Sequence, residues 1–421
     1  MMGRRQIAVI GSGVAGLTSA YLLQRVADVT LYEADDRLGG HAHTHEVPDP
    51  DGRLLNVDSG FIVHNRQTYP NLTRLFDELG VETQESEMSM SIRCDGCGLQ
   101  YAGARKLGGL FPTPRNVTNG RYLYLLSEVV RFHRRARRHL AETESNQLTL
   151  DEFLAEGRFS DYFRTHFVVP MVACVWSCAP AEAGAYPARY LFEFLANHGM
   201  LSVRGSHPWR TVTGGSHAYV QKVGKLLTAV NLLTPVRSVT RTAEGVRIID
   251  EDDQAADFDA VVIATHPDQA LRMLAEPTPA ESAMLGAWTY SKNPTALHTD
   301  ASILPSAPRA QAAWNYQMPA CDAAGSEVNV TYDMTRLQRL PGRSRYLVTL
   351  NRDDSVDADQ LIAEMSYEHP MFTPDSVATR SELPRLNDGV VAFAGAYHGW
   401  GFHEDGCRSG VAAAASLGAD W

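Results

Sequence analysis

The chain has 421 residues, of which 44% are hydrophobic and 21% charged, and its formal net charge is −11. The apolar content excludes a mainly disordered chain, and the acidic balance argues against nucleic acid as a partner. No apolar run approaches the ~20 residues of a membrane span.

The six cysteines are not spaced as a disulfide framework. Arg4-Arg5 precedes an apolar stretch that a glycine-rich loop interrupts almost at once, which argues against an export signal. We therefore expect a cytoplasmic protein with reduced thiols.

The N-terminal segment predicts a strand, a glycine turn, a helix and a second strand that ends in an acid. The strands cover 7–10 and 29–32, and a helical pattern covers 17–26. The turn between the first strand and the helix is typical of dinucleotide binding. In such turns the first glycine permits a tight bend, the second lets a pyrophosphate approach the backbone, and the third allows close helix–strand packing. The turn reads Gly11-Ser12-Gly13-Val14-Ala15-Gly16.

Phosphate and ribose have separate sites in this prediction. The helix N-terminus at Val14 and Ala15 offers N–H groups and a positive dipole to phosphate. Glu33 lies twenty positions after Gly13, where a carboxylate accepts hydrogen bonds from an adenosine ribose. The same charge disfavours a 2′-phosphate, so NADP is a poor fit.

The residues after Glu33 extend the pattern. They run Ala34-Asp35-Asp36-Arg37-Leu38-Gly39-Gly40-His41, and Asp58-Ser59-Gly60 follows further on. They resemble the E-A-x-x-R-x-G-G extension and the D-x-G turn of the flavin amine oxidase and phytoene desaturase superfamily. The resemblance implies FAD as cofactor, and it implies cofactor-binding roles for Ala34, Arg37, Gly39, Gly40, His41, Asp58, Ser59 and Gly60.

Two downstream blocks keep the order found in that superfamily. The first contains Gly214-Gly215, strand-like runs over 236–240 and 246–249, and the segment 261–265. The second contains a strand ending near residue 395 and a helix whose N-terminus suits the flavin C2 carbonyl. The resemblance adds these cofactor-binding residues: Val236, Ala264, Thr265, Gly395, Ala396, Phe402, His403, Glu404 and Gly406.

Four further stretches, at 197–200, 209–216, 297–300 and 395–406, resemble a narrower group. The group comprises bacterial FAD-dependent, amine-oxidase-like proteins that are often encoded beside cyclopropane-fatty-acid-synthase-like methyltransferases. Some members are implicated in desaturating methyl-branched acyl chains of phospholipids on a route to furan fatty acids. The resemblance therefore implies a lipid substrate and a companion methyltransferase.

Catalytic residues are expected beside the flavin. Amine oxidases of the superfamily hold a lysine near flavin N5, and Lys292 falls in the matching region, although Asn293 fits as well. A desaturation also needs a base for the second hydrogen, and His198 and His403 are the candidates. The segment 396–399 has no cysteine, where covalent members carry one. We therefore expect non-covalent FAD, with a histidyl link through His398 or His403 as the alternative.

Aromatic and neighbouring polar residues are candidates for the substrate cavity, because aromatic side chains that flank a flavin suit either an apolar chain or an amine. Core packing is the alternative role for each of them. Besides His198, the candidates are Trp209, Tyr290, Trp314, Asn315, Tyr316 and Trp400.

Two groups of residues have metal-binding side chains without predicting a metal site. Three alternating histidines at 41–45 directly follow the glycine pair 39–40, where the flavin is expected. The cysteine pair at 94–97 lacks a well-spaced second pair, since Cys174 and Cys178 are separated by three residues. The Asp-Gly inside the first pair instead predicts a hairpin turn. We therefore expect no bound metal.

The segment 122–139 predicts a helix that ends in a run of basic residues. Cations are favourable at a helix C-terminus, so a solvated helix end is the first interpretation. The alternative is a dock for anionic lipid headgroups at the inner membrane surface. The residues concerned are Arg131, Arg134, Arg135, Arg137 and Arg138.

The chain is expected to form an α/β fold with an amine-oxidase-like two-domain architecture. A discontinuous, Rossmann-like FAD-binding domain takes residues 1–90, 203–275 and 385–421. An α+β substrate domain takes 91–202 and 276–384, with strands over 328–332 and 346–350. The active site is expected where the two domains meet.

Three functions remain open at this point. The first is hydride transfer from a methyl-branched phospholipid acyl chain to flavin N5, which predicts a long apolar tunnel. The second is oxidation of a small amine or polyamine, which predicts an aromatic cage and a lysine near N5. The third is a non-catalytic FAD-bound partner of a methyltransferase, whose flavin no substrate reduces.

Overall fold

The computed structural model describes residues 3–103, 105–142, 148–176, 179–201, 207–322, 329–351 and 356–421. Cys178 and Val328, which enter two of the expectations above, lie outside these ranges. Within them, no helix combines the length and the apolar character that crossing a membrane requires.

The strands, in chain order, are β1 (Arg5–Ile10), β2 (Ala27–Tyr32), β3 (Thr44–Pro48), β4 (Leu54–Asp58), β5 (Thr83–Glu85), β6 (Met90–Cys94), β7 (Gln100–Gly103), β8 (Arg210–Val212), β9 (Ala229–Asn231), β10 (Val236–Arg241), β11 (Val246–Asp250), β12 (Ala255–Phe258), β13 (Ala260–Ile263), β14 (Tyr290–His298), β15 (Trp314–Met318), β16 (Asn329–Asp333), β17 (Leu347–Leu350), β18 (Leu361–Pro370) and β19 (Val391–Phe393).

The helices are α1 (Val14–Leu23), α2 (Pro70–Leu79), α3 (Lys106–Leu110), α4 (Pro114–Thr118), α5 (Gly120–Ala141), α6 (Leu150–Glu156), α7 (Asp161–Phe163), α8 (Val169–Trp176), α9 (Pro180–Ala183), α10 (Ala188–Asn197), α11 (His217–Gly224), α12 (Pro267–Met273), α13 (Pro279–Leu285), α14 (Met334–Leu337), α15 (Pro374–Thr379) and α16 (His403–Ser416). A π-helical turn, Arg164–Val168, joins α7 to α8.

Five parallel strands form the first sheet, in the order β19-β13-β1-β2-β9. Its central strand β1 is apolar and buried from Ile7 to Ile10, as a strand covered by helices on both faces must be. α1 follows β1 directly and packs against α16. The Rossmann-like sheet predicted from the N-terminal segment is therefore confirmed.

The second sheet has seven strands in the order β18-β14-β17-β16-β15-β6-β7. Its strand pairs are antiparallel except for β15 with β6. The strand predicted over 346–350 is observed as β17, and β16 covers the described part of the strand predicted over 328–332. The α/β class is confirmed, whereas the domain boundaries at residues 90, 203, 275 and 385 stay predictions.

Helices α5, α6, α7 and α10 share an aromatic core. Phe132 is fully buried, and its ring centroid lies 5.6–6.0 Å from those of Phe153, Phe163 and Phe192. The helix predicted over 122–139 is observed as α5, which begins after Asn119 because that side chain accepts a backbone N–H of the first turn. These helices also pack on the seven-stranded sheet, in the same hydrophobic cluster as residues of β6 and β15.

Candidate functional site

The glycine turn after β1 has the backbone geometry of a dinucleotide loop. Gly11 has a φ of +94°, which glycine adopts without strain. A Cβ atom on Gly16 would collide with the Gly11 carbonyl oxygen, so the loop and the first turn of α1 are in direct contact. A Cβ atom on Gly13 would meet nothing within 4 Å, and α1 has no side-chain cap. This helix end therefore offers its first N–H groups to an anion.

Glu33 lies beside this turn. Its carboxylate accepts the Ser12 N–H at 2.8 Å, the Ser12 hydroxyl, and the Asp35 N–H at 3.0 Å. The Thr234 N–H donates to the Glu33 carbonyl oxygen at 2.9 Å, so the chain leading to Val236 runs along the same edge. Glu33, expected at the ribose, and Val236, expected at adenine, therefore lie near each other.

The second glycine pair folds onto the first turn. Gly39 and Gly40 have φ values of +115° and +55°. A Cβ atom on Gly40 would lie 3.2 Å from Gly13 Cα, and Arg37 donates to the Gly40 carbonyl oxygen at 2.9 Å. We name the turn 11–16 together with the segment 34–40 the glycine cradle.

The start of α16 closes the glycine cradle from another side. A Cβ atom on Gly406 would lie 2.6 Å from Val14 Cγ1 and 3.7 Å from the Ala396 nitrogen. A Cβ atom on Gly11 would lie 2.9 Å from the Ala264 carbonyl oxygen. Two helix N-termini, those of α1 and α16, therefore meet beside the ends of β1, β13 and β19. The fold brings together the predicted residues Gly11, Gly13, Val14, Ala15, Gly16, Arg37, Gly39, Gly40, Ala264, Thr265, Gly395, Ala396 and Gly406.

Two of the predicted cofactor residues are buried carboxylates that bind protein groups. Asp58 accepts the Ser216 N–H at 2.9 Å and a Gln338 amide N–H at 2.9 Å, and burial raises its pKa to about 6. Glu404 accepts two backbone N–H groups at the start of α2, at 3.1 and 3.0 Å, and burial also raises its pKa. Both carboxylates therefore stabilise the packing of protein segments around the glycine cradle by hydrogen bonds.

Four of the buried polar atoms that lack a hydrogen-bond partner among the described residues belong to residues 41 and 397–400, next to the glycine cradle and before α16. They are His41 Nε2, Tyr397 Oη, His398 Nε2 and Trp400 Nε1. His41 follows Gly40 and touches Gly60, where a Cβ atom would collide with the His41 carbonyl oxygen. Burial lowers the pKa of His41 and that of His398, the latter to about 3, so both imidazoles are neutral at pH 7. Buried polar atoms usually have a partner, and a polar cofactor bound beside the glycine cradle would provide one for these four.

A comparison with known protein families decides which cofactor this is. The family model of the flavin containing amine oxidoreductases matches residues 14–301. The chain belongs to this family. The glycine cradle, the two helix N-termini and the unpartnered polar atoms fit FAD, so the expected FAD-dependent oxidoreductase is confirmed.

Two characterised relatives align with about two thirds of this chain. The carotenoid phi-ring synthase of Streptomyces griseus is 26% identical over 288 residues, which are 64% of this chain and 54% of that protein. The coproporphyrinogen III oxidase of Mycobacterium leprae is 24% identical over 299 residues, which are 66% of this chain and 63% of that protein. The match thus spans between half and two thirds of these relatives.

Solved structures share the whole fold. Putrescine oxidase bound to putrescine has a TM-score of 0.70 at 17% identity, and cyclohexylamine oxidase from Brevibacterium oxydans has 0.71 at 17%; each alignment covers 98% of both chains. The CLA-producing fatty acid isomerase from P. acnes has a TM-score of 0.66 at 14% identity, covering 96% of this chain and 97% of that one. The predicted amine-oxidase-like architecture is therefore confirmed.

A cluster of aromatic rings lies next to the start of α16. Tyr190, Phe194 and His198 follow one another at intervals of four residues, so they share a face at α10 and its C-terminal end. The ring of Phe194 stacks on that of Phe402 with centroids 4.9 Å apart, and the ring of Tyr190 lies 6.4 Å from that of Trp400. We name these five residues the aromatic wall. It contains His198, Trp400 and Phe402, for which the sequence predicted three different roles: base, cavity residue and cofactor-binding residue.

The two candidate bases have different surroundings. His198 donates from Nδ1 to the Phe194 carbonyl oxygen at 2.9 Å, which leaves the lone pair on Nε2, and its ring stacks on Trp209 at 6.0 Å. His403 begins α16, stacks on Phe61 at 3.7 Å and has Nε2 at 3.3 Å from the Tyr219 hydroxyl. Burial lowers the pKa of both imidazoles, that of His403 to about 3. A positive helix end further disfavours a proton on His403, so His198 is the better placed acceptor.

The lysine expected near N5 lies elsewhere. The Lys292 side chain is 78% exposed, and its Nζ lies 3.8 Å from Glu368. Asn293 points inward instead and donates to Ser291 Oγ at 3.1 Å. The chain has only three other lysines, and all are exposed: Lys106, Lys222 and Lys225. No lysine of this chain is therefore buried beside a flavin.

Four predicted cavity residues make their contacts within or beside the sheet. The side chain of Asn315 accepts the Ala312 N–H at 2.9 Å and donates to the Ala312 carbonyl oxygen at 2.8 Å, beside its neighbour Tyr316, which is buried. Trp314 meets Tyr332 edge to face at 5.3 Å. The remaining one, Tyr290, starts β14 and stacks on His266 with ring centroids 3.9 Å apart.

Sequence reasoning missed Tyr190, Phe194 and Arg380. The four-residue spacing to His198 was a usable indication for the first two. The Arg380 guanidinium carbon lies 5.0 Å from the Tyr190 ring centroid and 5.9 Å from that of Trp400. No spacing rule connects α10 with a residue so much further along the chain, so Arg380 had no indication in the sequence.

The basic end of α5 divides into two sets. Arg131 donates to the Gly157 carbonyl oxygen at 2.8 Å, and Arg135 pairs with Glu156 at 3.4 Å, so both serve the packing of α5 on α6. The exposed set consists of Arg134, Arg137 and Arg138. A lipid-headgroup dock would rest on these three.

Proposed function

We propose that the chain dehydrogenates an apolar acyl chain with an anionic head, in the first instance a methyl-branched acyl chain of a phospholipid. One observation carries the proposal: a cation, Arg380, lies over two rings of the aromatic wall. Among the described residues no carboxylate lies within ion-pair distance of this guanidinium, and the charge of buried Asp405 acts on it only from further away. Arginine binds phosphate and carboxylate well and repels an ammonium group.

The acidic groups beside the aromatic wall support the same substrate class. Asp405 accepts the Trp400 N–H at 3.0 Å and the Phe402 N–H at 3.1 Å, and it pairs with Arg408 at 3.0 Å. Glu404 caps α2. Because both carboxylates already bind protein donors, neither is left for the ammonium group of an amine.

FAD, when bound, supplies the acceptor for the hydride that leaves one substrate carbon. His198 Nε2 accepts the proton from the neighbouring carbon, so that a carbon–carbon double bond forms. The aromatic wall holds the chain and excludes water, and Arg380 binds the anionic head. The resemblance of 395–406 to the acyl desaturase group supports this assignment, as does the fold shared with a fatty acid isomerase.

Amine oxidation is the second candidate, because two solved structures with this fold are amine oxidases by name. It requires a different arrangement at N5, since every lysine of the chain is exposed. In this proposal a companion methyltransferase supplies the methyl branch before this reaction. A bilayer contact through the exposed residues Arg134, Arg137 and Arg138 brings the lipid to the enzyme.

The test is anaerobic reduction of the purified holoprotein. Phospholipid vesicles with methyl-branched unsaturated chains and, in parallel, a panel of amines are added while the visible flavin absorbance is followed. We expect bleaching by the lipid alone. Bleaching by an amine alone would overturn the proposal, and no bleaching by either, with flavin still reducible by dithionite, would favour the non-catalytic partner.

Arg380→Gln sharpens this test. The rate of bleaching by lipid is expected to fall about tenfold, since a charge-assisted hydrogen bond contributes about 1.5 kcal/mol. Arg385→Gln is the matched control, because Arg385 is exposed and pairs with Glu382 only three residues away. His198→Gln, measured alongside, should slow bleaching without weakening lipid binding. Equal rates in Arg380→Gln and the control would contradict the role of Arg380.

A further inference from the structure

Three segments that are remote in the sequence bring four metal-binding side chains together. Cys94 and Cys97 belong to the hairpin between β6 and β7, His166 to the π-helical turn before α8, and Cys321 follows β15. One ligand atom from each side chain lies within 4.8 Å of all the others. We name these four residues the Cys3His cluster.

Two distances within the Cys3His cluster match the ligand–ligand distances of a tetrahedral metal centre. Cys94 Sγ lies 3.7 Å from Cys321 Sγ, and Cys97 Sγ lies 3.6 Å from His166 Nε2. Zinc bonds of about 2.3 Å to sulfur and about 2.0 Å to nitrogen give tetrahedral edges of about 3.8 Å between two sulfurs and about 3.5 Å between sulfur and nitrogen. The pairs are therefore spaced as two ligands of one ion are.

The imidazole is already oriented as a ligand. His166 is 1% exposed, and its Nδ1 lies 3.2 Å from the Tyr162 carbonyl oxygen and 2.8 Å from the Thr165 hydroxyl. A carbonyl oxygen only accepts, so Nδ1 carries the proton and Nε2 keeps its lone pair, directed toward Cys97. A second partner that fixes the tautomer in this way is characteristic of metal-bound histidine.

The backbone also supports the cluster. A Cβ atom on Gly96 would lie 3.0 Å from the Cys321 nitrogen, so the hairpin approaches that segment more closely than a side chain would readily allow. Gly98 has a φ of +72°, which closes the turn directly after Cys97. The turn that carries His166 is π-helical, a rare form that is frequent at functional sites.

We propose that Cys94, Cys97, His166 and Cys321 bind one zinc ion as a closed structural site. Three thiolates and an imidazole suit zinc, and four protein ligands leave no position for a substrate. Binding replaces the three thiol protons by metal–sulfur bonds and involves no electron transfer. The sequence argument against a metal sought a second cysteine pair, whereas the structure supplies one histidine and one cysteine from different segments.

The site would tie α8 to the edge of the seven-stranded sheet. α8 ends at Trp176, whose indole N–H donates to the Trp400 carbonyl oxygen at 3.1 Å. Zinc would therefore fix the N-terminal end of α8, and the C-terminal end of α8 supports the aromatic wall through Trp176. This inference is independent of the substrate proposed above.

The test measures metal in the full-length holoprotein, purified from zinc-supplemented cells without a metal-affinity tag. We expect about one zinc per chain in the wild type and in the control Cys174→Ala, a buried cysteine outside the cluster. Cys97→Ser and Cys321→Ser should retain about a tenth of that zinc or less. Flavin content, measured on the same samples, separates lost metal from a lost fold.

A second measurement does not depend on variants. The wild type is stripped with a chelator under reducing conditions and reconstituted with Co2+. We expect the intense d–d bands of tetrahedral thiolate-bound cobalt, at longer wavelength than the oxidised flavin. A zinc-free wild type that gives no such bands, a disulfide within the cluster in freshly purified protein, or equal zinc in Cys97→Ser and wild type would each overturn the proposal.

Discussion

The glycine cradle and the Cys3His cluster both join distant segments, but by opposite means. The cradle depends on what its residues lack, because Gly16 and Gly40 let backbones approach where a side chain would collide. The cluster depends on what its residues carry, since four ligand atoms meet at one point. Substitution should therefore act in the cradle by collision and in the cluster by loss of a bond.

The largest effect is expected at the cradle. Gly16→Val should leave a protein without flavin and without a cooperative unfolding transition, because its Cβ atom meets the Gly11 carbonyl oxygen and backbone cannot yield cheaply. Flavin content and thermal unfolding provide the measurement. A Gly16→Val protein that purifies with full flavin would contradict the collision argument.

Gly13→Ala is the matched variant within the same turn. Its added methyl group meets no atom within 4 Å, so the thermal transition should stay close to that of the wild type. FAD affinity should nevertheless fall, by about tenfold or more, because the methyl group keeps a pyrophosphate from the backbone. An unchanged affinity of Gly13→Ala for FAD would contradict a phosphate site at this turn.

A smaller effect is expected at Asp58, beside the cradle. Burial raises its pKa from 3.8 to about 6, so between these pH values the folded protein holds a proton that the unfolded chain has lost. The corresponding stability, about 3 kcal/mol, is present at low pH and is lost as the pH rises through about 6. The urea midpoint of the wild type should therefore fall between about pH 5 and about pH 7, and that of Asp58→Asn should fall less over the same range. Parallel slopes for the two proteins would count against a raised pKa.

No effect is expected at Lys292. Its side chain is exposed, so Lys292→Met should reduce its flavin with substrate at the wild-type rate. The amine-oxidase alternative requires the opposite, a marked slowing of reduction in the same stopped-flow assay. Comparing the rates of flavin reduction in Lys292→Met and Arg380→Gln therefore distinguishes acyl-chain dehydrogenation from amine oxidation in a single experiment.

The nucleotide-binding part was predictable because its residues are nearly contiguous. The turn 11–16, Glu33 and the pair 39–40 lie within the first forty residues, and their spacing already fixes strand, helix and strand. The aromatic wall was predictable only in part. Trp400 and His198 were proposed, but Arg380 and the partnership of β15 with β6 depend on contacts that no local pattern specifies.

Asn315 illustrates the remaining difficulty. Its position between two aromatic residues suggested a cavity, but a buried amide in a sheet must satisfy its own donors and acceptors, and this one does so on Ala312. The Cys3His cluster is the extreme case, since its ligands come from residues 94, 97, 166 and 321. Sequence spacing reveals a metal site only when ligands come in pairs.

The strand order of the five-stranded sheet has a consequence for biogenesis. β1 pairs with β2 and with β13, β13 pairs with β19, and α16 then packs on α1. During synthesis, the edge of β1 that pairs with β13 therefore stays unpaired until residues 260–263 have been made. Because the start of α16 packs against Val14, the glycine cradle is complete only after α16 has been synthesised, and we expect FAD to bind after that point.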